Sequence, residues 1–369
     1  MNRRTFLSYS GLGFLILSGV TVVQLLNQNN YRYESIPDNK EGILDDDFFY
    51  IIYLASLAPS GHNTQPWTIR MINRNHWVLG TEKSRWLPAV DPENREVLLS
   101  LGAFLENLII AAGIKGYDVE TEIRANHPLD SEIVDIKLYK THKTTNFNEE
   151  KIILRRTIRN NFLNDSLSVE DLKEIISDDQ DSFTYYPQES QGGKYLKEGT
   201  ILANRIQAYR NSAQEELAKW IRWSKDDVRR YMNGLTPETM EIQGIARLYV
   251  ENFYSNKSVM DNSFREDTIR TVQRQVNGGS GWLLLESKDS SILELIATGR
   301  KLQRMWLKVR GKMIAIHPMT QMLEEEPLLQ QIVSELNSNK KIQFLLRVGY
   351  VKDYPRPVSP RMLLSRIMI

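Results

Sequence analysis

Residues 58–67 read Ala-Pro-Ser-Gly-His-Asn-Thr-Gln-Pro-Trp, and their types and spacing could do recognition chemistry. Pro59, Gly61 and Pro66 punctuate a rigid turn, while Ser60, Asn63 and Gln65 supply short donors and acceptors suited to the polar edge of a flat heterocycle. The plain alternative is a helix-to-strand turn whose Asn and Gln bond their own backbone. A second feature is Arg155-Arg156-Thr157-Ile158-Arg159. Guanidinium groups grip a phosphate dianion bidentately, and a small hydroxyl adds a further donor. Its alternative is a solvated basic turn ahead of a helix.

These side chains must be held by elements that the sequence also marks. Residues 44–58 have apolar positions at helical spacing, with Asp45, Asp46 and Asp47 in the first turn. Strands are expected at 67–72 and 77–79. Asp91 and Pro92 read as the N-cap and first residue of a helix over 93–112, too apolar for a surface element and suited to a central core. A second run of that character spans 291–309. Aligning Gly102 with Gly299 also matches Leu105 with Leu302, Leu108 with Met305 and Ile109 with Trp306, and the strands at 78–83 and 283–288 correspond loosely. Ser168 caps a helix over 169–176, and 344–350 reads as a core strand.

The chain has 369 residues, 25% charged and 41% apolar, with a net charge of +1. That is the balance of an ordinary soluble globular protein, with nothing that points to nucleic acid. It contains no cysteine, which excludes disulfides, thiolate metal sites and a cysteine nucleophile, so redox chemistry must come from a cofactor. At the N-terminus, Asn2-Arg3-Arg4-Thr5-Phe6-Leu7 precedes an apolar run over 11–26. This reads as an export signal, and the paired arginines followed by Phe-Leu resemble the twin-arginine type. A membrane tether through residues 6–26 is the alternative, although Ser8, Ser10, Ser18, Thr21 and Gln24 interrupt it. Cleavage and retention are both left open.

The decapeptide resembles the Ala-Pro-Ser-x-x-Asn-x-Gln-Pro-Trp segment of the nitroreductase superfamily, in which a helix end and the following loop lie against the ring and ribityl chain of FMN. Arg155 to Arg159 resemble the Arg-x-Ser-x-Arg/Lys sequence that holds the FMN phosphate in that family. There, two identical subunits build each site, one giving the basic residues and the other the loop. Here the first half has the loop but Asp45, Asp46 and Asp47 in place of basic residues, while the second half has the basic segment and no such loop. The resemblance, similar to the Acg-type two-halved FMN-binding proteins of mycobacteria, covers most of 44–361. It implies an α+β, nitroreductase-like fold: two fused halves forming a pseudo-dimer around central core helices, with a helical lid-like insertion and one FMN per chain.

The organisation expected is a signal or anchor over 1–27, a linker over 28–43, a first half over 44–150 and a second half over 151–369. The second half includes an insertion over 212–281 that is rich in charge and aromatics and ends in Gly278-Gly279-Ser280-Gly281. That insertion is a lid with a glycine hinge, or a helical appendage packed on the core; one object can be both. The cofactor-binding residues implied by the resemblance are Pro59, Ser60, Asn63, Gln65, Arg155, Arg156, Thr157, Arg159, His317, Met319, Arg356 and Arg361. His317 and Met319 belong to 314–321, where the family passes backbone near the flavin ring; His317 is a ring neighbour or only a structural turn residue. In the tail Pro355-Arg356-Pro357-Val358-Ser359-Pro360-Arg361, which resembles the family's terminal phosphate-binding segment, Arg356 is preferred over Arg361. No dedicated catalytic side chain is expected, because flavin N5 carries the chemistry.

The function implied is an exported FMN-dependent oxidoreductase that passes hydride through N5 to a quinone, nitroaromatic or similar acceptor. The alternative is a flavin storage protein with little turnover; a scaffold that merely retains the fold is a third reading. Partners would be a small-molecule electron donor and acceptor and the twin-arginine export machinery. The chain would be a monomer, because its dimer is fused, located in the periplasm or anchored on the outer face of the cytoplasmic membrane. Outside the cytoplasm, a quinol or redox protein is the expected donor, since nicotinamide cofactors are scarce there.

Overall fold

Two antiparallel four-stranded sheets flank a crossed pair of apolar helices in the computed structural model, which describes Asn39 and residues 44–369. The signal, tether and most of the linker expected at the N-terminus lie outside the described residues. The first sheet follows α1 (Asp46–Ser56) and contains β1 (Trp67–Asn73) and β2 (His76–Thr81). After α2 (Arg95–Ile114) come β3 (Tyr117–Ile123) and β4 (Glu132–Lys140). The short α3 (Glu150–Ile153), α4 (Val169–Ile175), β5 (Phe183–Pro187) and α5 (Gln191–Tyr209) lead into the insertion. The insertion carries α6 (Asn211–Trp220), α7 (Lys225–Tyr231), α8 (Gly244–Phe253) and α9 (Asn262–Gln275). Then β6 (Gly281–Ser287), α10 (Ile292–Val309), β7 (Ile314–Pro318), α11 (Glu326–Glu335) and β8 (Lys341–Tyr350) complete the second sheet. The strand orders are β1-β2-β4-β3 and β5-β6-β8-β7, so both sheets run in the same sequential pattern.

The first core helix starts later than its sequence signals suggest. Its N-cap is Asn94 in the left-handed conformation, and Pro92 precedes the helix instead of opening it. Asp91 nevertheless serves the helix from upstream, its carboxylate accepting the Glu96 and Val97 amides at 2.9 and 3.1 Å. Those are two of the amides that a helix start leaves unsatisfied. Ser291 and Ser168 cap α10 and α4 in the expected way.

The two core helices meet at Gly102 and Gly299. A Cβ added at Gly102 would lie 2.2 Å from the Ile296 carbonyl oxygen, and one at Gly299 would lie 2.0 Å from that of Leu99. The contact is reciprocal in the same alignment that pairs the two glycines in sequence. Close backbone approach is what glycine permits. Around this crossing, Gln303 donates to Asn107 at 2.7 Å, and Glu106 accepts from Arg300 and Arg304 at 2.8 and 3.0 Å. α2 is the one described helix long and apolar enough to cross a membrane, and most of it is buried in this core.

The chain's end crosses from the second sheet to the first. Ile69 in β1 donates to Ile367 and accepts from Ile369, with a parallel bridge to Met368. Met362, Leu364 and Ile367 pack into the apolar core around α1, β1 and α2.

The insertion has a small core of its own, where Trp223 contacts Tyr254 and Phe264 edge-on. Trp220 and Ala213 also pack on Leu87 and Val90, which precede α2. The glycine cluster is built differently from a free hinge. Ser280 donates to Val348, Gly281 already belongs to β6, and a Cβ on Gly349 would meet Gly279 Cα at 2.9 Å. Close backbone approach accounts for Gly281, where a Cβ would meet the Tyr186 carbonyl oxygen at 2.3 Å, and Gly279 takes a φ of +115°.

Candidate functional site

The loop that follows α1 stores backbone strain. His62, Asn63 and Gln65 all have positive φ, at 45°, 54° and 53°. Each non-glycine residue in that region costs about 1–2 kcal/mol, and it persists only where its surroundings hold it. Several contacts do so. Ser60 accepts from the Gln65 amide at 3.0 Å. Asn63 donates to the Gly234 and Pro360 carbonyls, both at 3.1 Å, and its own carbonyl takes the Gly234 amide. Gln65 is fully buried, donating to Met232 and accepting from Met362, both at 3.0 Å. Arg85 adds bonds to the Gln65 and Trp67 carbonyls and to Arg366. Asn63 and Gln65 therefore tie the loop to the insertion and the C-terminal tail. The local-turn alternative does not describe their bonding, since the side-chain partners lie far away in sequence. Pro59 and Ser60 are half-buried beside them.

The basic segment comes to the same place. The helix end at Leu57 and Ala58 presents unsatisfied carbonyls and the negative end of a helix dipole, both of which favour cations. Arg155 donates to Leu57 at 2.7 Å and lies over the Trp306 ring. Arg361 donates to Leu57 and Ala58, each at 3.2 Å, and to the Asn63 side chain. Arg361 is buried, whereas Arg356 is exposed and offers its backbone carbonyl to Arg156. Arg361 thus reaches the loop itself, while Arg356 meets Arg156 through its backbone. Thr157 is half-buried within the segment.

Arg156 and the backbone after it form an anion cradle. The Glu241 carboxylate accepts from the Arg159 and Asn160 amides at 3.2 and 2.9 Å and from Arg156 at 3.4 Å. Consecutive backbone amides beside a guanidinium form a concave site for negative charge. The Arg159 side chain donates to the Thr239 carbonyl at 2.7 Å. Burial pulls the Arg159 guanidinium below its ordinary pKa, Glu241 opposes that shift and Arg156 adds to it. Arg310 stands nearby, stacked on Tyr354 and bonded to the Leu154, Tyr354 and Pro355 carbonyls. The donor set suits the phosphate of FMN, since an anion of the chain itself is already held by groups of that kind.

His317 and Met319 fare differently. His317 lies in β7, buried, with Nδ1 3.4 Å from the Arg347 guanidinium. Burial, Arg347 and Arg159 all hold its pKa well below the usual histidine value, so the ring is neutral at pH 7. Met319 belongs to an apolar cluster with Trp282 and Met322, and its amide donates to Leu345 at 2.8 Å. The strand β7 extends one bond further than a turn reading allows, and this turns Met319 inward.

Beyond the cradle opens a cleft of about 460 Å³. Arg159, Phe162, Glu241, Arg274, Gln275 and Arg347 are among its lining residues. Arg347 is 1% exposed, stacks on Phe162 at 4.0 Å, and is pushed down to about 9 by burial, against the pull of Glu241.

A carboxyl cluster adjoins the loop, since a Cβ on Gly61 would meet Glu96 at 3.1 Å. The Thr320 hydroxyl lies 3.1 Å from Glu96 and 3.2 Å from Glu324. One hydroxyl hydrogen cannot serve two carboxylates, so both contacts are hydrogen bonds only when one carboxyl is protonated. Burial and the charge of Glu96 push Glu324 up to about 8, and the same causes push Asp91 to about 7. Burial also lowers the His62 pKa, with Glu96 opposing and Arg159 assisting.

Sequence reasoning missed Glu241, Arg310, Arg85 and Thr320. None lies in a spacing pattern that could have marked it. Arg95 pairs with Glu96 at 3.1 Å at the edge of the carboxyl cluster.

No protein-family model matches the chain. Over 115 residues it is 36% identical to the acg protein of Mycobacterium tuberculosis, in strains CDC 1551 / Oshkosh and ATCC 25618 / H37Rv, whose name assigns it provisionally to the NAD(P)H nitroreductases. The match takes in 29% of this chain and 33% of that protein, so the aligned part spans about a third of the length of these curated relatives. Among solved structures, the FMN-dependent nitroreductase NfnB of Mycobacterium smegmatis, in complex with NADPH, aligns at 14% identity and a TM-score of 0.37. It covers 59% of this chain and 95% of its own. A nitroreductase with bound FMN from Bacteroides fragilis aligns at 12% identity and a TM-score of 0.35, over 61% of this chain and 99% of its own.

Proposed function

We propose that the chain is an FMN-dependent oxidoreductase of the nitroreductase type, with one flavin site assembled from both halves of a fused pseudo-dimer. The observation that carries this reading is the meeting of the 58–67 loop with Arg155 and Arg361 at the C-terminal end of α1. Bound FMN would supply a ring able to accept and give up hydride. Arg155, Arg156, Arg159 and Arg361 would hold its phosphate, and the strained loop at 61–65 would flank its ring. The Glu96–Thr320–Glu324 group would keep a proton close to the loop. The partial likeness to the acg protein agrees with this reading.

In this reading the acceptor is a quinone, a nitroaromatic or a similar molecule, and the protein works after export as a monomer. With export, the donor is a quinol or a redox protein in place of a nicotinamide. Storage of FMN is the second reading, favoured by the contacts of Met232 and Gly234 with Gln65 and Asn63, which lay the insertion across the loop. Anaerobic reduction with dithionite followed by addition of a quinone separates the two. Rapid reoxidation supports the oxidoreductase, whereas a bound flavin that resists both reagents supports storage.

A further inference from the structure

Glu241 is an acid placed where a ligand's phosphate is proposed to sit. Its segment is a preformed turn. Thr236 and Thr239 exchange bonds, the Thr236 amide reaching the Thr239 hydroxyl at 2.7 Å and the Thr239 amide reaching the Thr236 hydroxyl at 3.1 Å. The turn closes with Met240 to Thr236 and Ile242 to Pro237. Glu241 itself has φ of 59°, a left-handed conformation that a side chain of its kind rarely adopts. That strained residue points its carboxylate onto the Arg159 and Asn160 amides and Arg156. Its side chain is 7% exposed.

We infer that Glu241 is an internal anion that competes with a phosphate-ester ligand for the Arg156–Asn160 cradle, so that binding requires the 236–241 turn to withdraw. This rests on the proposed assignment of the cradle to the FMN phosphate. The physical basis is charge: a phosphate monoester and a carboxylate cannot share two amides and one guanidinium, since like charges at contact repel strongly in a partly desolvated site. A withdrawing Glu241 has somewhere to go. It lines the adjoining cleft together with Arg274 and Arg347, two cations able to receive it. Gly244 follows the turn with φ of +59° and open space around it, which leaves the chain free to pivot there.

The test uses the full chain stripped of flavin, comparing wild type with Glu241→Gln, which keeps the shape, and Glu241→Ala. FMN and riboflavin are titrated by fluorescence, and inorganic phosphate by thermal shift. The inference expects FMN and phosphate to bind both variants about tenfold or more tighter than wild type, with riboflavin unchanged, since only the phosphate meets the cradle. Equal or weaker binding of both FMN and phosphate in the variants would overturn it while leaving the flavin reading intact. Tighter phosphate binding with no FMN bound by any form would uphold the competition and sink the flavin reading. If nothing binds any form, both fall. Limited proteolysis of wild type supplies a second readout: saturating phosphate should speed cleavage within 232–244, and unchanged cleavage would contradict withdrawal.

Discussion

Replacing Gly102 with alanine tests the crossing of the two core helices, α2 and α10. The added methyl would sit 2.2 Å from the Ile296 oxygen and 2.9 Å from the Gly299 Cα. A carbon–oxygen contact settles near ~3.3–3.6 Å, so α2 and α10 must part by about 1 Å. Alanine is about 1 kcal/mol better than glycine inside a helix, which sets a favourable term against the clash. Overpacking a dense core costs about 1–3 kcal/mol, and here the obstacle is backbone on a second helix, which cannot rotate away. The parted helices would also stretch the Gln303–Asn107 bond, adding about 1 kcal/mol. The net expectation is a loss of about 1–3 kcal/mol, or roughly 1–4 °C in Tm for a chain of this size. Gly311→Ala is the matched control, because nothing lies within 4 Å of its added methyl and it should be neutral. Thermal unfolding of both variants by circular dichroism reads the difference. A Gly102→Ala protein as stable as wild type, or more so, would refute the backbone contact on which the argument rests.

Arg361→Ala should destabilise the protein by about 1–3 kcal/mol in chemical denaturation, because it strips partners from two helix-end carbonyls and from Asn63. Asn63→Ala removes a tie between the 58–67 loop and Gly234, so proteolysis within 232–244 should quicken. Glu324 governs part of the pH dependence. Its carboxyl, which ordinarily titrates near 4.5, is pushed up to about 8 in the fold, so the native state keeps a proton that the unfolded chain releases. Its contribution to stability is full below about pH 4.5 and is lost as pH rises to about 8, at roughly 1.4 kcal/mol per unit where only the unfolded state has ionised. Tm should fall over that range in wild type and fall less steeply in Glu324→Gln; equal slopes would remove Glu324 as the cause.

What the sequence made legible was local. Helical spacing and β alternation marked α1, α10, β1 and β8, and the alignment of Gly102 with Gly299 anticipated two residues that meet in space. Asp91 was misplaced as a cap because an Asp-Pro pair mimics one, whereas Asn94 takes the left-handed turn that starts α2. Tertiary partners were invisible. Asn63 and Gln65 bond the insertion and tail, segments far from them in sequence, and Arg361 reaches the loop because the tail folds back on it. Glu241 shows the limit most clearly. A single acid in an unpatterned stretch acquires meaning only when the fold sets it on two amides of the basic segment.

The most direct measurement is the flavin content of the purified full chain, wild type beside an Arg155→Ala, Arg361→Ala double variant whose folding is checked by circular dichroism. The proposed composite site predicts close to one FMN per wild-type chain, identified as FMN after release, and a folded double variant that has lost most of it. A wild-type protein without flavin that also fails to take up added FMN, or a double variant that retains it fully, would contradict the account.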